Sequence, residues 1–115
     1  MSVSNEVLIV LNSSRLGQGN PRLGESLMTS FLESVLTGQA RPVAILLYNS
    51  AVVLATDQSP VCPVLKKCAD SGIDILVNQE SLEFYSLDKS VCAGHPASMD
   101  EMTQRMMNAA TVVKP

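Results

Sequence analysis

The chain has 115 residues, of which 46% are hydrophobic and 17% charged, and its formal net charge is −3. That length suits one domain, and the apolar fraction is too high for a disordered chain. An acidic balance without a basic run, together with two Tyr, two Phe and no Trp, excludes the electrostatic footprint and stacking platforms of a nucleic-acid binder.

The opening stretch MSVSNEVLIVLNSS has no basic leader, and its apolar run is too short to span a bilayer. The expectation is a cytoplasmic chain with no membrane partner. Val7 to Leu11 reads as a strand covered on both faces. A Gly- and Ser-rich loop runs from Asn12 to Asn20, where Asn20 caps a helix with Pro21 at its first position. Leu23, Leu27, Met28, Phe31, Leu32 and Leu36 recur at helical spacing, and Gly38 supplies the stop.

Val43 to Tyr48 is the second apolar run, closed by Asn49 and Ser50, with a short apolar turn from Ala51 to Ala55. Ser59 and Pro60 open a second helix with a buried stripe of Val61, Val64, Leu65, Cys68 and Ala69, ended by Gly72. Ile73 to Val77 is a third strand, and Asn78 to Leu87 a loop with a short helix. Cys92 to Pro96 reads as a fourth strand. Ser98 and Glu101 form a capping box over a last helix carrying Met99, Met102, Met106 and Met107. Thr111 to Val113 closes the chain as a short strand.

Strand and helix alternate, and no Asn-Gly or Asp-Gly hairpin turn occurs. The reading is a single α/β domain over residues 1–115. Its sheet is mainly parallel and five-stranded with helices on both faces, a flavodoxin-like sandwich. In such a sheet the functional crevice lies at the carboxyl ends of the strands. Asn12, Ser13, Asn49, Ser50, Asn78 and Ser81 would converge there. They suit hydrogen bonding to a small ligand or shaping a subunit contact, and equally suit capping helices and fastening loops. Tyr85 joins them as a tethered hydroxyl packed with Phe84 rather than a catalytic acid.

Three cysteines, an odd count without a CxxC, support neither a disulfide framework nor a zinc site, so no metal or cofactor is expected. Cys68 lies on an apolar stripe and belongs to the core. Cys62, in a first helical turn, reads as structural, although a helix N-terminus lowers a thiol pKa. No catalytic residue is assigned. Cys92, three residues before the single His95, is the remaining candidate nucleophile, but strand alternation opposes that pairing. His95 itself reads as a surface or hydrogen-bonded residue.

Gly17 and Gly19 match two glycines of a phosphate-binding loop, yet Arg22 occupies the third place and no GK[ST] follows. A tight turn is the reading, with Gly24 allowing close packing; an anion site at Asn20 to Leu23 near Arg15 is the alternative. The run Ala51 to Leu54 would expose apolar surface in a monomer, so a homo-oligomer is expected.

Three stretches carry a family resemblance: VLNSSRLGQGNPRLGESLMTSFL (Val10 to Leu32), ILLYNSAVVLATDQSPV (Ile45 to Val61) and GIDILVNQESLEFYSL (Gly72 to Leu87). The tail MDEMTQRMMNAATVVKP adds to it. Together they resemble the DsrE-like family of sulfur relay proteins, and within it the C-terminal domain of YedF-type, sulfurtransferase-like selenium-metabolism proteins. The resemblance spans nearly the whole chain. It implies an oligomeric α/β sandwich that carries a persulfide on a cysteine after the third strand and exchanges it with a small sulfur-carrier protein. This sequence departs there: Asn78 and Ser81 occupy the places of two cysteines. A carboxamide and a hydroxyl cannot carry a persulfide.

The expected function is therefore a DsrE-like, non-catalytic binding or assembly subunit, linked to sulfur or selenium metabolism by resemblance. Two alternatives are a sulfur relay using Cys92 or Cys62 and a small-molecule binding module at the strand ends.

Overall fold

The computed structural model describes residues 6–115. The elements are β1 (Val7–Leu11), α1 (Pro21–Thr37), β2 (Ala44–Leu47), a 3-10 helix (Asn49–Ala55), α2 (Cys62–Asp70), β3 (Asp74–Asn78), α3 (Gln79–Phe84), β4 (His95–Ala97), α4 (Met99–Asn108) and β5 (Thr111–Val113). The five strands form one sheet in the order β4-β3-β2-β1-β5, and every strand pair is parallel.

Strand side chains alternate between faces, which explains why the central strands are continuous apolar runs. Ile9, Leu11, Ile45, Leu47, Ile75 and Val77 pack against Met28 and Leu32 of α1, Leu65 and Cys68 of α2, and Leu82 of α3. Leu8, Val10, Ala44, Leu46, Leu76 and Ala97 face the other way, where Met102 of α4 covers them. A one-residue slip of any central strand would exchange its two apolar sets and break both cores.

The helix starts follow their caps. Asn20 Oδ1 accepts the Leu23 amide at 3.0 Å, and Ser98 Oγ accepts the Glu101 amide at 3.1 Å. The second helix begins later than the Ser59–Pro60 pair suggests: α2 starts at Cys62, and Ser59 Oγ instead accepts the Val61 amide at 3.1 Å within the preceding turn. The fourth strand is likewise shifted, to His95–Ala97, which leaves Cys92 in the loop before it.

The expected exposure of Ala51 to Leu54 is corrected. The segment winds into the 3-10 helix, with Ala51, Val52, Leu54 and Ala55 buried within the chain against α2, α3 and β3. Its apolar side chains therefore give no argument for a subunit contact. Exposed apolar side chains lie elsewhere, at Leu23 and Leu27 of α1, at Met107, at Val112 and Val113 of β5, and at Phe84, Tyr85 and Met99. Among the described residues, no helix is long and apolar enough to cross a membrane.

Two glycines share a left-handed backbone but differ in their surroundings. Gly17 (φ +79°) has open space where a Cβ would stand. Gly94 (φ +76°) lies against β3, and a Cβ there would meet the Ile75 carbonyl oxygen at 2.5 Å and its Cβ at 2.7 Å. Gly17→Ala should cost about 1–2 kcal/mol, the left-handed penalty alone. Gly94→Ala adds overlap with the backbone of a central strand, and we expect a loss of roughly 3 kcal/mol or more. Urea unfolding of the two variants measures the difference directly.

Candidate functional site

β2 and β3 run in register, Leu47 beside Val77, so the chain leaves both strands at neighbouring points of the carboxyl edge. There it forms an open cleft of about 480 Å³ lined by Tyr48, Asn49, Asn78, Glu80, Ser81, Phe84, Tyr85 and Met99. Asn78 ends β3 and caps α3, while Asn49 opens the 3-10 helix in a left-handed conformation (φ +55°) that Asn tolerates better than most residues.

The polar groups of the cleft close on one another. Asn78 Oδ1 accepts both the Ser81 amide at 2.9 Å and the Ser81 hydroxyl at 2.7 Å. Asn78 Nδ2 donates to the Ala97 carbonyl at 3.5 Å, reaching β4. Ser81 Oγ in turn accepts the Asn49 amide at 2.8 Å, and the Tyr85 hydroxyl donates to Asn49 Oδ1 at 2.9 Å. Among the described residues, no buried side-chain nitrogen or oxygen lacks a partner.

This wiring decides the chemistry. The Ser81 proton is given to a carboxamide oxygen, which cannot act as a base, and its oxygen is engaged by a backbone N–H. Ser81 is thus a structural hydroxyl. The rim is different: Phe84 is 82% exposed, Tyr85 41% and Met99 40%. The Phe84 and Tyr85 rings meet edge-to-face with centroids 5.1 Å apart.

Of the residues expected to converge, Asn49, Asn78, Ser81 and Tyr85 do so. Ser50 turns toward the loop after β1, where its Oγ accepts the Ser14 amide at 3.4 Å. Ser13 Oγ serves a local turn through the Arg15 amide at 3.1 Å, and Asn12 is exposed away from the cleft lining. The cleft also recruits Tyr48, Glu80, Phe84 and Met99, which strand-end polarity alone does not single out. At the glycine loop, the Leu16 amide bonds the Gly24 carbonyl at 3.0 Å, and a Cβ on Gly24 would touch Arg15 Cβ at 3.0 Å. Close packing explains that glycine, and Arg15 faces Glu25 at 3.6 Å.

The cysteines overturn one expectation. Cys62 and Cys92 form a disulfide across 30 residues, with Cα atoms 6.6 Å apart, and the His95 ring is bonded to Asp74 rather than to Cys92. Cys68 is free and buried, and burial pushes its thiol up. His95 lies at the amino ends of the strands, where its Nε2 meets Asp74 Oδ1 at 3.0 Å, and Arg105 donates to Asp74 Oδ2 at 2.7 Å. Burial pushes the Asp74 carboxyl up, but the hydrogen bonds and charges of Arg105 and His95 outweigh it, so it titrates below its ordinary range. Its contribution to stability is present above the unfolded-state carboxyl pKa and is lost as pH falls through the lowered folded value. These side chains are one-third to one-half exposed, so the clamp between β3, β4 and α4 is worth about 1 kcal/mol or less. Among the described residues, no group of three His, Cys, Asp or Glu side chains is placed to hold a metal.

The shared bond between Asn78 and Ser81 makes a quantitative demand. Ser81→Ala should cost about 1–2 kcal/mol and Asn78→Ala about 2–3 kcal/mol, through lost hydrogen bonds and a lost cap. The double variant should fall short of their sum by about 1 kcal/mol, because both single changes remove the same bond. Urea unfolding of the four-member cycle checks this.

No protein-family model matches the chain, and no curated protein does. Solved structures do. The YchN protein from E. coli superposes with a TM-score of 0.68 at 14% identity, over 96% of this chain and 98% of that one. The protein of unknown function MTH1491 from Methanobacterium thermoautotrophicum gives 0.70 at 10% identity, again over 96% and 98%. The conserved protein of unknown function BT1422 from Bacteroides thetaiotaomicron gives 0.64 at 19% identity, over 96% of each chain. At these identities the likeness shows the fold, a five-stranded parallel α/β domain of flavodoxin-like type.

Proposed function

We propose that this chain is a DsrE-like binding or assembly subunit whose cleft after β3 captures a partner without turning it over. The observation that carries the reading is the contrast between the cleft's floor and its rim. The floor's Asn78, Ser81 and Asn49 are bonded to one another and contain no nucleophile with a base. The rim presents Phe84, Tyr85 and Met99 to solvent, and burying a side chain such as Phe84 against a partner returns about 1.5–3 kcal/mol.

The shape of the chain, shared with YchN, and the three sequence stretches that resemble DsrE-like proteins support the family link. By that resemblance the partner is a small sulfur-carrier protein, and the setting is sulfur or selenium metabolism. Self-association belongs to the same reading. The exposed Leu23 and Leu27 of α1 and the valines of β5 support it in place of the buried Ala51 to Leu54 segment.

The test uses a small sulfur-carrier protein as the probe, titrated into isotope-labelled chain and followed by amide chemical shifts. Shifts should centre on Phe84, Tyr85 and Met99. Phe84→Ala should weaken binding tenfold or more, while unfolding free energy changes by no more than about 0.5 kcal/mol, as for other exposed sites. Absence of binding, or shifts confined to other faces, would contradict the reading.

A further inference from the structure

A second cleft, sharing no lining residue with the first, opens on the disulfide. It has a volume of about 360 Å³, and its lining includes Cys62, Cys92, Asp57 and Lys66. We infer that the Cys62–Cys92 pair is a reversible thiol–disulfide exchange site for low-molecular-weight thiols, with Cys92 the sulfur attacked and Cys62 the leaving and resolving thiol.

The two cysteines differ in access. Cys62 is 2% exposed in the first turn of α2, whereas Cys92 is exposed in the loop before β4. An incoming thiolate approaches a disulfide along the S–S axis, so attack on the accessible Cys92 expels Cys62. The first-turn amides of α2 are already spent, with Cys62 N–H on the Ser59 carbonyl and Val64 N–H on the Val61 carbonyl. The positive charge available to the departing Cys62 thiolate is Lys66, one helical turn further along and lining the same cleft.

The local frame does not depend on the covalent bond. The Cys92 and Ala93 amides donate to the Ala55 carbonyl at 2.8 and 3.3 Å, and the Asp57 amide donates to the Ser90 carbonyl at 3.0 Å. Thr56 and Val91 form an antiparallel bridge between these segments, and Gly94 seats the loop against Ile75. Reduction therefore leaves the two sulfurs facing each other, ready to close again. A disulfide that served only as a staple would instead be the element holding this loop down.

A thiolate RS⁻ forms an S–S bond to Cys92 while the Cys62–Cys92 bond breaks, and Cys62 leaves with that bond's electron pair. A second thiol attacks the sulfur of R in the mixed disulfide and releases Cys92 as thiolate. The products are RSSR and a dithiol, which takes up the two protons of the thiols. Run backwards, Cys62 thiolate attacks Cys92–S–S–R and expels RS⁻. The co-reactant throughout is the small thiol and its disulfide.

The experiment incubates the full chain in buffers of varied reduced-to-oxidised glutathione ratio, followed by acid quench, alkylation and intact mass. We expect the pair to open and close reversibly with the ratio while circular dichroism stays native, and buried Cys68 to remain unalkylated in the folded chain. Cys62→Ser should then accumulate one glutathione on Cys92, and Cys92→Ser should take up glutathione on Cys62 at least tenfold more slowly. Reduction only in the presence of urea would overturn the inference, as would equal labelling of the two variants or failure of the pair to oxidise. Should either variant fail to fold, the titration of the unaltered chain decides the question alone.

Discussion

The Asn78 carboxamide is where four parts of the chain are tied together. It stands at the end of β3 and is 2% exposed. It caps α3, reaches the carbonyl of Ala97 in β4, and through Ser81 fixes the Asn49 amide at the turn after β2. A buried polar group of this kind is costly unless it is hydrogen-bonded, and here both Oδ1 and Nδ2 have partners. The same bonding leaves the Ser81 hydroxyl without a base: its proton goes to the Asn78 carboxamide oxygen and its oxygen to the Asn49 amide. Structure and chemical inertness at this edge are one fact.

The strand-end cleft and the disulfide are separated in space. The carboxyl edge of β2 and β3 offers a neutral polar floor under an apolar rim, a surface suited to holding a partner. The Cys62–Cys92 pair lies elsewhere, in a cleft at the start of α2 formed with the loop before β4. A resemblance to sulfur relay proteins draws attention to the loop after β3, yet Cys62 and Cys68 lie on α2 and Cys92 is bonded to Cys62.

Much of the fold can be read from residues alone because its signals are local. VLIVL and AILL announce strands buried on both faces, and Asn20-Pro21 and Ser98 announce helix starts within a few residues. Four members of the cleft, Asn49, Asn78, Ser81 and Tyr85, could be named from strand-end polarity. Met99 could not, since an apolar residue in the first turn of α4 carries no strand-end signal, and only the position of α4 places it on the rim. The Cys62–Cys92 pair is a contact across 30 residues with no motif to announce it. Ala51 to Leu54 misleads for a related reason: an apolar run reports that it needs cover, but not whether that cover comes from its own chain.

The central claim is that the cleft binds and does no covalent chemistry, because Ser81 is held as a donor to Asn78 and an acceptor from Asn49. Treating the folded chain with a serine-directed organophosphorus electrophile, then mapping any adduct by mass, tests it most directly. The account predicts that Ser81 stays unmodified at concentrations that label an activated serine completely. A stoichiometric adduct on Ser81, abolished by Ser81→Ala, would show that the hydroxyl is activated and would contradict it.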